Sequence, residues 1–302
     1  MEQEKEQKLV YKVSVISIIV NGILVLIKVL AGTFGHSKAL ISDAIHSASD
    51  VLSTIIVIVG YKLSRRREDS SHPYGHERIE CVAAVILATM LAITGALMGF
   101  EGIKDIFKGT YKNFKIPGSF TIIAAVIGIA AKEIMYHVTK RVADKINSDS
   151  LKADAWHHRS DALSSVGSLV GVLLARNGFP IADPVASIVI CLFILKVAYD
   201  IYRDSFRKMV DHSCDKETVD KFRSEIMKED GVENVHTIKT RMFGAKIYVD
   251  IELYVDGHIS LAEAHQISEN VHDRIENTFP DVKHCMIHVE PVQEQIPEQA
   301  QE

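Results

Sequence analysis

Two segments of the chain carry imidazoles and carboxylates at one repeated spacing. They read Ser42-Asp-Ala-Ile-His-Ser-Ala-Ser-Asp50 and Ala153-Asp-Ala-Trp-His-His-Arg-Ser-Asp161. His46 and Asp50 are four residues apart, as are His157 and Asp161. Four residues turn an α-helix by about 400°, so each pair shares one helix face, with about 6 Å of rise between its members. Two such faces turned toward each other offer two imidazoles and two carboxylates. That donor set suits a tetrahedral borderline cation such as Zn²⁺. The same groups could act as interhelical hydrogen-bond glue or as a proton relay without metal. One pair alone is compatible with glue; two pairs in separate segments favour a metal. Asp43, Asp154, His158 and Arg159 read as cytoplasm- or cavity-facing partners rather than ligands.

The elements that must position these groups are apolar helices. A membrane-spanning helix needs about 20 mainly apolar residues. Six segments come near that: 9–33, 39–63, 81–103, 120–138, 150–175 and 181–201. The second and fifth are weakened by their own His and Asp residues, and charged groups at membrane depth are functional by default. Six spans put both termini on one side. Twelve basic flanking residues fall on that side against six on the other, which predicts cytoplasmic termini in a cell membrane by the positive-inside rule.

Beyond about residue 207 the pattern changes. Residues 1–208 carry 25 Lys and Arg against 19 Asp and Glu, whereas residues 209–302 carry 9 against 20. The spacing predicts a helix over 215–229, strands over 235–242, 246–255 and 284–290, and a helix to about Thr278 opened by the capping box Ser260-Leu-Ala-Glu263. An α-β-β-α-β order gives a small open sheet with helices on one face. The expected organisation is a six-helix membrane domain over 1–208, a cytoplasmic α+β domain over 209–291 and a disordered tail over 292–302. A net charge of −5 argues against nucleic acid as a partner. The four cysteines are scattered, with no C-x-x-C, so neither a zinc ribbon nor a redox pair is indicated.

Between the second and third spans lies Glu68-Asp-Ser-Ser-His-Pro-Tyr-Gly-His76. Asp69, His72 and His76 can gather around one ion in a turn; otherwise Pro73 and Gly75 set a turn and the histidines cap a helix. In the last domain His236, Glu252, His288 and Glu290 fall on or beside strands, and His265 falls early in the capped helix. Asp250 reads as a further donor or a solvated strand residue. His212, His258, His272 and His284 read as surface histidines.

The six spans, the paired motifs, the His72-Pro-Tyr-Gly-His76 loop and the αββαβ end together resemble the cation diffusion facilitators, a family of divalent-metal/proton antiporters. The resemblance covers nearly the whole chain. It implies that His46, Asp50, His157 and Asp161 form the transport site, and that Asp69, His72 and His76 form a second metal site. It places cytoplasmic metal ligands at His236, Glu252, His265, His288 and Glu290. Glu252 departs from the His that many members have there, which makes this site richer in oxygen. The resemblance also implies a homodimer, with Arg78 and Asp211 at the positions of a salt bridge at the dimer junction. A His/Asp quartet goes most often with zinc in that family. Manganese- or iron-handling members tend to replace a histidine, and Co²⁺ and Cd²⁺ are further candidate cargoes. A membrane metal sensor or metalloenzyme is the reading from another class. An enzyme would need an open coordination position and a general base, which a saturated quartet and the lack of an H-E-x-x-H motif do not offer.

Overall fold

The computed structural model describes residues 2–34, 38–109, 119–176, 179 and 181–292. The chain divides into two compact units, Met1–Phe206 and Arg207–Glu302.

The first unit is helical. Its elements are α1 (Glu2–Phe34), α2 (Lys38–Ser64), α3 (Arg78–Lys108), α4 (Ser119–Lys145), α5 (Asp149–Arg176) and α6 (Ala182–Met209). They cover the six apolar segments and extend past them into charged flanks. Among the described residues, α1, α3 and α6 contain stretches long and apolar enough to cross a membrane. Their outward faces are rich in Ile, Leu and Val, with Ile19 54%, Leu97 59% and Leu192 64% exposed. Apolar side chains exposed along whole helices are the mark of a lipid-facing surface.

Short connections make sequence neighbours pack antiparallel. The α4–α5 turn is three residues long, with Asn147 in the left-handed region at φ 50 and Ser148 N–H donating to the Ala143 carbonyl at 3.0 Å. One core gathers Val10, Val57, Tyr61, Leu87, Ala143, Ile146 and Leu151 from α1 to α5. At the same end Glu80, 4% exposed, accepts hydrogen bonds from the Ser148 and Ser150 hydroxyls and so ties α3 to the start of α5. Burying a carboxylate there is tolerable because hydroxyl donors and a helix N-terminus satisfy it.

Small residues let the helices approach closely. A Cβ on Gly60 of α2 would lie 2.5 Å from the Cβ of Ala83 on α3, whereas one on Gly22 of α1 would meet nothing within 4 Å. Because the obstructing atom is fixed to its backbone, Gly60→Ala should force the two helices apart. We expect a loss of about 1–3 kcal/mol, read as a lowered thermal midpoint of the full-length protein in detergent. Gly22→Ala is the control, and equal midpoints for the two variants would contradict the close contact.

The second unit is an α+β layer. Asp215 caps α7 (Lys216–Ile226) by accepting from the Thr218 N–H at 2.7 Å. Then follow β1 (Asn234–Phe243), β2 (Lys246–Val255), α8 (Leu261–Thr278) and β3 (Val282–Pro291). Helix α7 ends at Ile226, three residues short of the predicted stretch, where turns at Met227–Glu229 take over. The capping box forms as read: Ser260 Oγ accepts from Glu263 N–H, and the Glu263 carboxylate accepts from Ser260 N–H.

The sheet order is β1-β2-β3. Strands β1 and β2 are antiparallel through the tight turn at Gly244, φ 65. Strands β2 and β3 run parallel, which requires a crossover, and α8 supplies it. Val249, Ile251, Leu253 and Val255 of β2 turn to the side where Phe222, Ile226, Val271 and Ile275 of α7 and α8 cover them. The alternate residues Asp250, Glu252 and Tyr254 therefore lie on the open face.

Candidate metal centre

The two repeated motifs lie on α2 and α5. Asp50 is 1%, His157 6% and Asp161 9% exposed. One ligand atom from each lies within 4.8 Å of the others, and His157 Nε2 is 3.1 Å from Asp50 Oδ1. Zinc bonds of about 2.0 Å in a tetrahedron set donors about 3.3 Å apart, so a modest contraction would close these three on one ion. The position of His46 lies on α2, but its side chain, like that of Asp43, is outside the described residues. The structure therefore brings together three members of the quartet.

A fourth group, absent from the sequence reading, sits among them. Lys132 of α4 is 5% exposed. Its Nζ lies 2.5 Å from Asp50 Oδ2 and 2.9 Å from Asp161 Oδ2. A lone lysine inside the apolar stretch of α4 was the available signal. Sequence alone does not say that the side chain turns toward α2 and α5 rather than climbing to the interface, as long basic side chains often do.

Asp154 and His158 are corrected by the structure. They were expected to face the cytoplasm or a cavity, yet they are 2% and 0% exposed. His158 Nε2 is 3.6 Å from Asp154 Oδ2, and the Thr54 hydroxyl is 3.5 Å from Asp154 Oδ1. The reason is packing: α5 packs against α2, α3 and α4, and Asp154 and His158 fall on the buried side of its first turns while Lys152, Trp156 and Arg159 stay partly exposed on another. Arg159 takes a different course, lying over the rings of Tyr136 and Trp156 at 4.4 and 5.5 Å, a cation–π arrangement.

The loop residues also converge. Asp69, His72 and His76 place one ligand atom each within 4.8 Å of one another. The Asp69 carboxylate accepts from the backbone N–H groups of His72 and Ser71 at 2.8 and 2.9 Å. It lies 3.3 Å from His72 Nδ1 and 3.4 Å from His76 Nε2. The backbone donation from His72 in particular holds the Asp69 carboxyl below the usual carboxylate range. This support is present at neutral pH and is lost as pH falls through that lowered value. Gly75, at φ 95, makes the sharp turn.

In the second unit the strand candidates share the open face of the sheet. The β1–β2 register shifts between Val235 and Thr237. Such a bulge re-aims a side chain, and His236 Nδ1 comes to 3.2 Å from the Tyr254 hydroxyl. Glu252 stands opposite Thr237 on β1 and His288 on β3, and Lys239 Nζ is 3.2 Å from its carboxylate. The Thr237 hydroxyl, then Lys239, hold that carboxyl below its ordinary range. His288 Nε2 lies 3.5 Å from Glu290 Oε1. Asp250 is half-buried on the same face, paired across to Lys239 and Met286.

His265 is exposed on α8, in the layer that covers the other face of the sheet. Among the described residues these six do not form a group of three within ligand distance. His272 is not a plain surface residue, since its Nδ1 is 2.9 Å from the Cys285 carbonyl and so pins α8 to β3. Burial pushes the Cys285 thiol up to about 12, which removes it as a thiolate donor at neutral pH. Arg78 opens α3 in the first unit and Asp211, at φ 59, falls in the second.

Comparison with known families and proteins gives a consistent result. Residues 14–210 match the profile described as the cation efflux transmembrane domain. Residues 214–292 match that of the cytoplasmic domain of cation efflux proteins. An uncharacterised transporter of Methanocaldococcus jannaschii is 37% identical, over 94% of this chain and 99% of its own length. The manganese efflux system protein MneP of Bacillus subtilis is 31% identical, over 96% of this chain and 99% of that one. The magnetosome protein MamB of a Magnetospira strain is 30% identical, over 88% and 89%.

Proposed function

Because the chain belongs to the cation efflux family, a family of membrane transporters for divalent metal cations, we propose that it expels Zn²⁺ from the cytoplasm in exchange for protons. The observation that carries this reading is the buried convergence of Asp50, His157 and Asp161 from two helices. His46, four residues before Asp50 on α2, completes the donor set. The ion enters from the cytoplasm, sheds water and binds the quartet. Ligation requires neutral imidazoles, so metal entry releases protons, and protons from the far side then compete with the metal for the same nitrogens. One elementary charge moved across the membrane potential is worth about 2.3 kcal/mol per 100 mV, so returning protons in excess can sustain efflux.

Residues 1–208 are the transport domain, with both termini cytoplasmic. Residues 209–291 are the regulatory and dimerisation domain, and 292–302 its tail. Asp69, His72 and His76 hold a second ion in the loop. The open face of the sheet, with His236, Asp250, Glu252, His288 and Glu290, takes metal at the interface of a homodimer. His265 lies in the other layer of its own protomer, so a second copy must bring it to such a site. By the family resemblance, Arg78 and Asp211 form a salt bridge at the dimer junction, setting docking geometry more than adding net stability.

Manganese is the second reading, because relatives at about 30% identity are named manganese efflux proteins. Retention of histidine at positions 46 and 157 favours zinc. The deciding experiment is competitive uptake of Zn²⁺, Mn²⁺, Fe²⁺, Co²⁺ and Cd²⁺ into proteoliposomes carrying a pH gradient, for wild type and His46→Asn. Zinc should win in the wild type, accelerate with the gradient, and lose ground to Mn²⁺ in the variant. Uptake indifferent to the gradient would end the antiport reading. A wild-type preference for Mn²⁺ would end the zinc assignment. Bound metal without any flux would favour a sensor.

A further inference from the structure

The geometry points to Lys132 as an internal cation that fills the carboxylate pair between transport events and must be displaced by each arriving metal ion. The inference rests on Asp50 and Asp161 being transport ligands and adds a competitor to them. Three observations carry it. The Lys132 ammonium contacts one oxygen of each carboxylate, at 2.5 and 2.9 Å. Among the described residues Lys132 is the one Lys or Arg that is buried. It comes from α4, a helix that contributes neither motif, so its placement is independent of the ligand spacing.

The ammonium and a divalent ion cannot share these oxygens. A metal bonded at about 2.0 Å to the two oxygens that Lys132 contacts would stand within about 3 Å of Nζ, where two positive charges repel strongly in a poorly screened interior. The lysine must therefore swing aside, which its flexible four-carbon stem allows. The gain is in the empty carrier. Two bare carboxylates are expensive at membrane depth, and a tethered ammonium reduces their charge from −2 to −1 without importing an ion. Lys132 thus trades metal affinity for a carrier that can reset and release.

The test uses the full-length protein with Zn²⁺ as the probe. In proteoliposomes, Lys132→Met should lower the half-saturating Zn²⁺ concentration by about tenfold to a hundredfold, the lower range of coupling between close charge pairs. It should also slow turnover at saturating metal. Lys132→Arg, which keeps the charge, should stay near the wild-type half-saturation. A second measurement needs no variant: acetylation of wild-type Lys132 by a membrane-permeant reagent, read by mass spectrometry, should rise severalfold when Zn²⁺ saturates the protein. An unchanged or raised half-saturation in Lys132→Met, or labelling indifferent to Zn²⁺, would overturn the inference. Those failures are separable from failure of the transport-site reading, which would show instead as flux surviving the loss of Asp50 or Asp161.

Discussion

Replacing either Asp50 or Asp161 by Ala is expected to abolish metal flux. Each carboxylate supplies a ligand atom to the buried group and a partner to Lys132. Loss of an outer partner of a metal ligand already reduces affinity about tenfold to a hundredfold, and loss of a ligand itself should exceed that. The substitution also leaves Lys132 with a single carboxylate, and breaking a buried ion pair commonly costs about 3–5 kcal/mol. Two signatures should appear together: metal uptake into liposomes at the protein-free background, and a lowered thermal midpoint in detergent. Asp50→Asn, which keeps the side-chain volume, separates charge from packing and should also be inactive. Wild-type uptake in any of these variants would remove the transport site from where we place it.

Phe222→Ala is expected to unfold much of the second unit. Phe222 is fully buried and meets Phe279 edge to face, with ring centroids 4.6 Å apart. It is the largest member of the core that joins α7 and α8 to β2. Deleting a buried phenylalanine costs about 3–5 kcal/mol, against about 5–15 kcal/mol for a whole domain. Hydrogen exchange of the full-length protein should show β1, β2 and β3 losing protection by about two orders of magnitude or more. Phe222→Leu, a smaller change in volume, should keep most of it. Protection unchanged in Phe222→Ala would mean that the sheet does not depend on this contact.

Periodicity was enough to read the architecture, because both environments impose simple rules. The helices of the first unit follow from long apolar runs, and β2 follows from the alternation of Ile247, Val249, Ile251 and Leu253. The His/Asp spacing put His157 and Asp161 on one face of α5, and the structure brings Asp50 of α2 to that face. What spacing could not supply was the third dimension around those faces. Lys132 is far from both motifs in sequence, and only the packing of α4 on α5 and α1 aims it inward. Asp154 and His158 read as partners facing the cytoplasm or a cavity, yet they lie on the buried side of α5. The tail shows the same division. Alternation puts His236, Glu252 and His288 on one side of the sheet, while the crossover through α8 sends His265 to the other, and no local pattern announces that.

The links among the N-terminal ends of α3 and α5 and the C-terminal end of α2 have a mechanical consequence. Gly60 against Ala83 and Glu80 with Ser148 and Ser150 fasten three helices where they enter the bundle, much as a rivet fixes the blades of a fan. Any tilting that exposes the Asp50, His157 and Asp161 group must pivot about this fastening, with the smallest displacement there and growing excursions toward the far tips. Paramagnetic spin labels set along α2 and α5 should report distance changes that widen steadily with separation from Glu80.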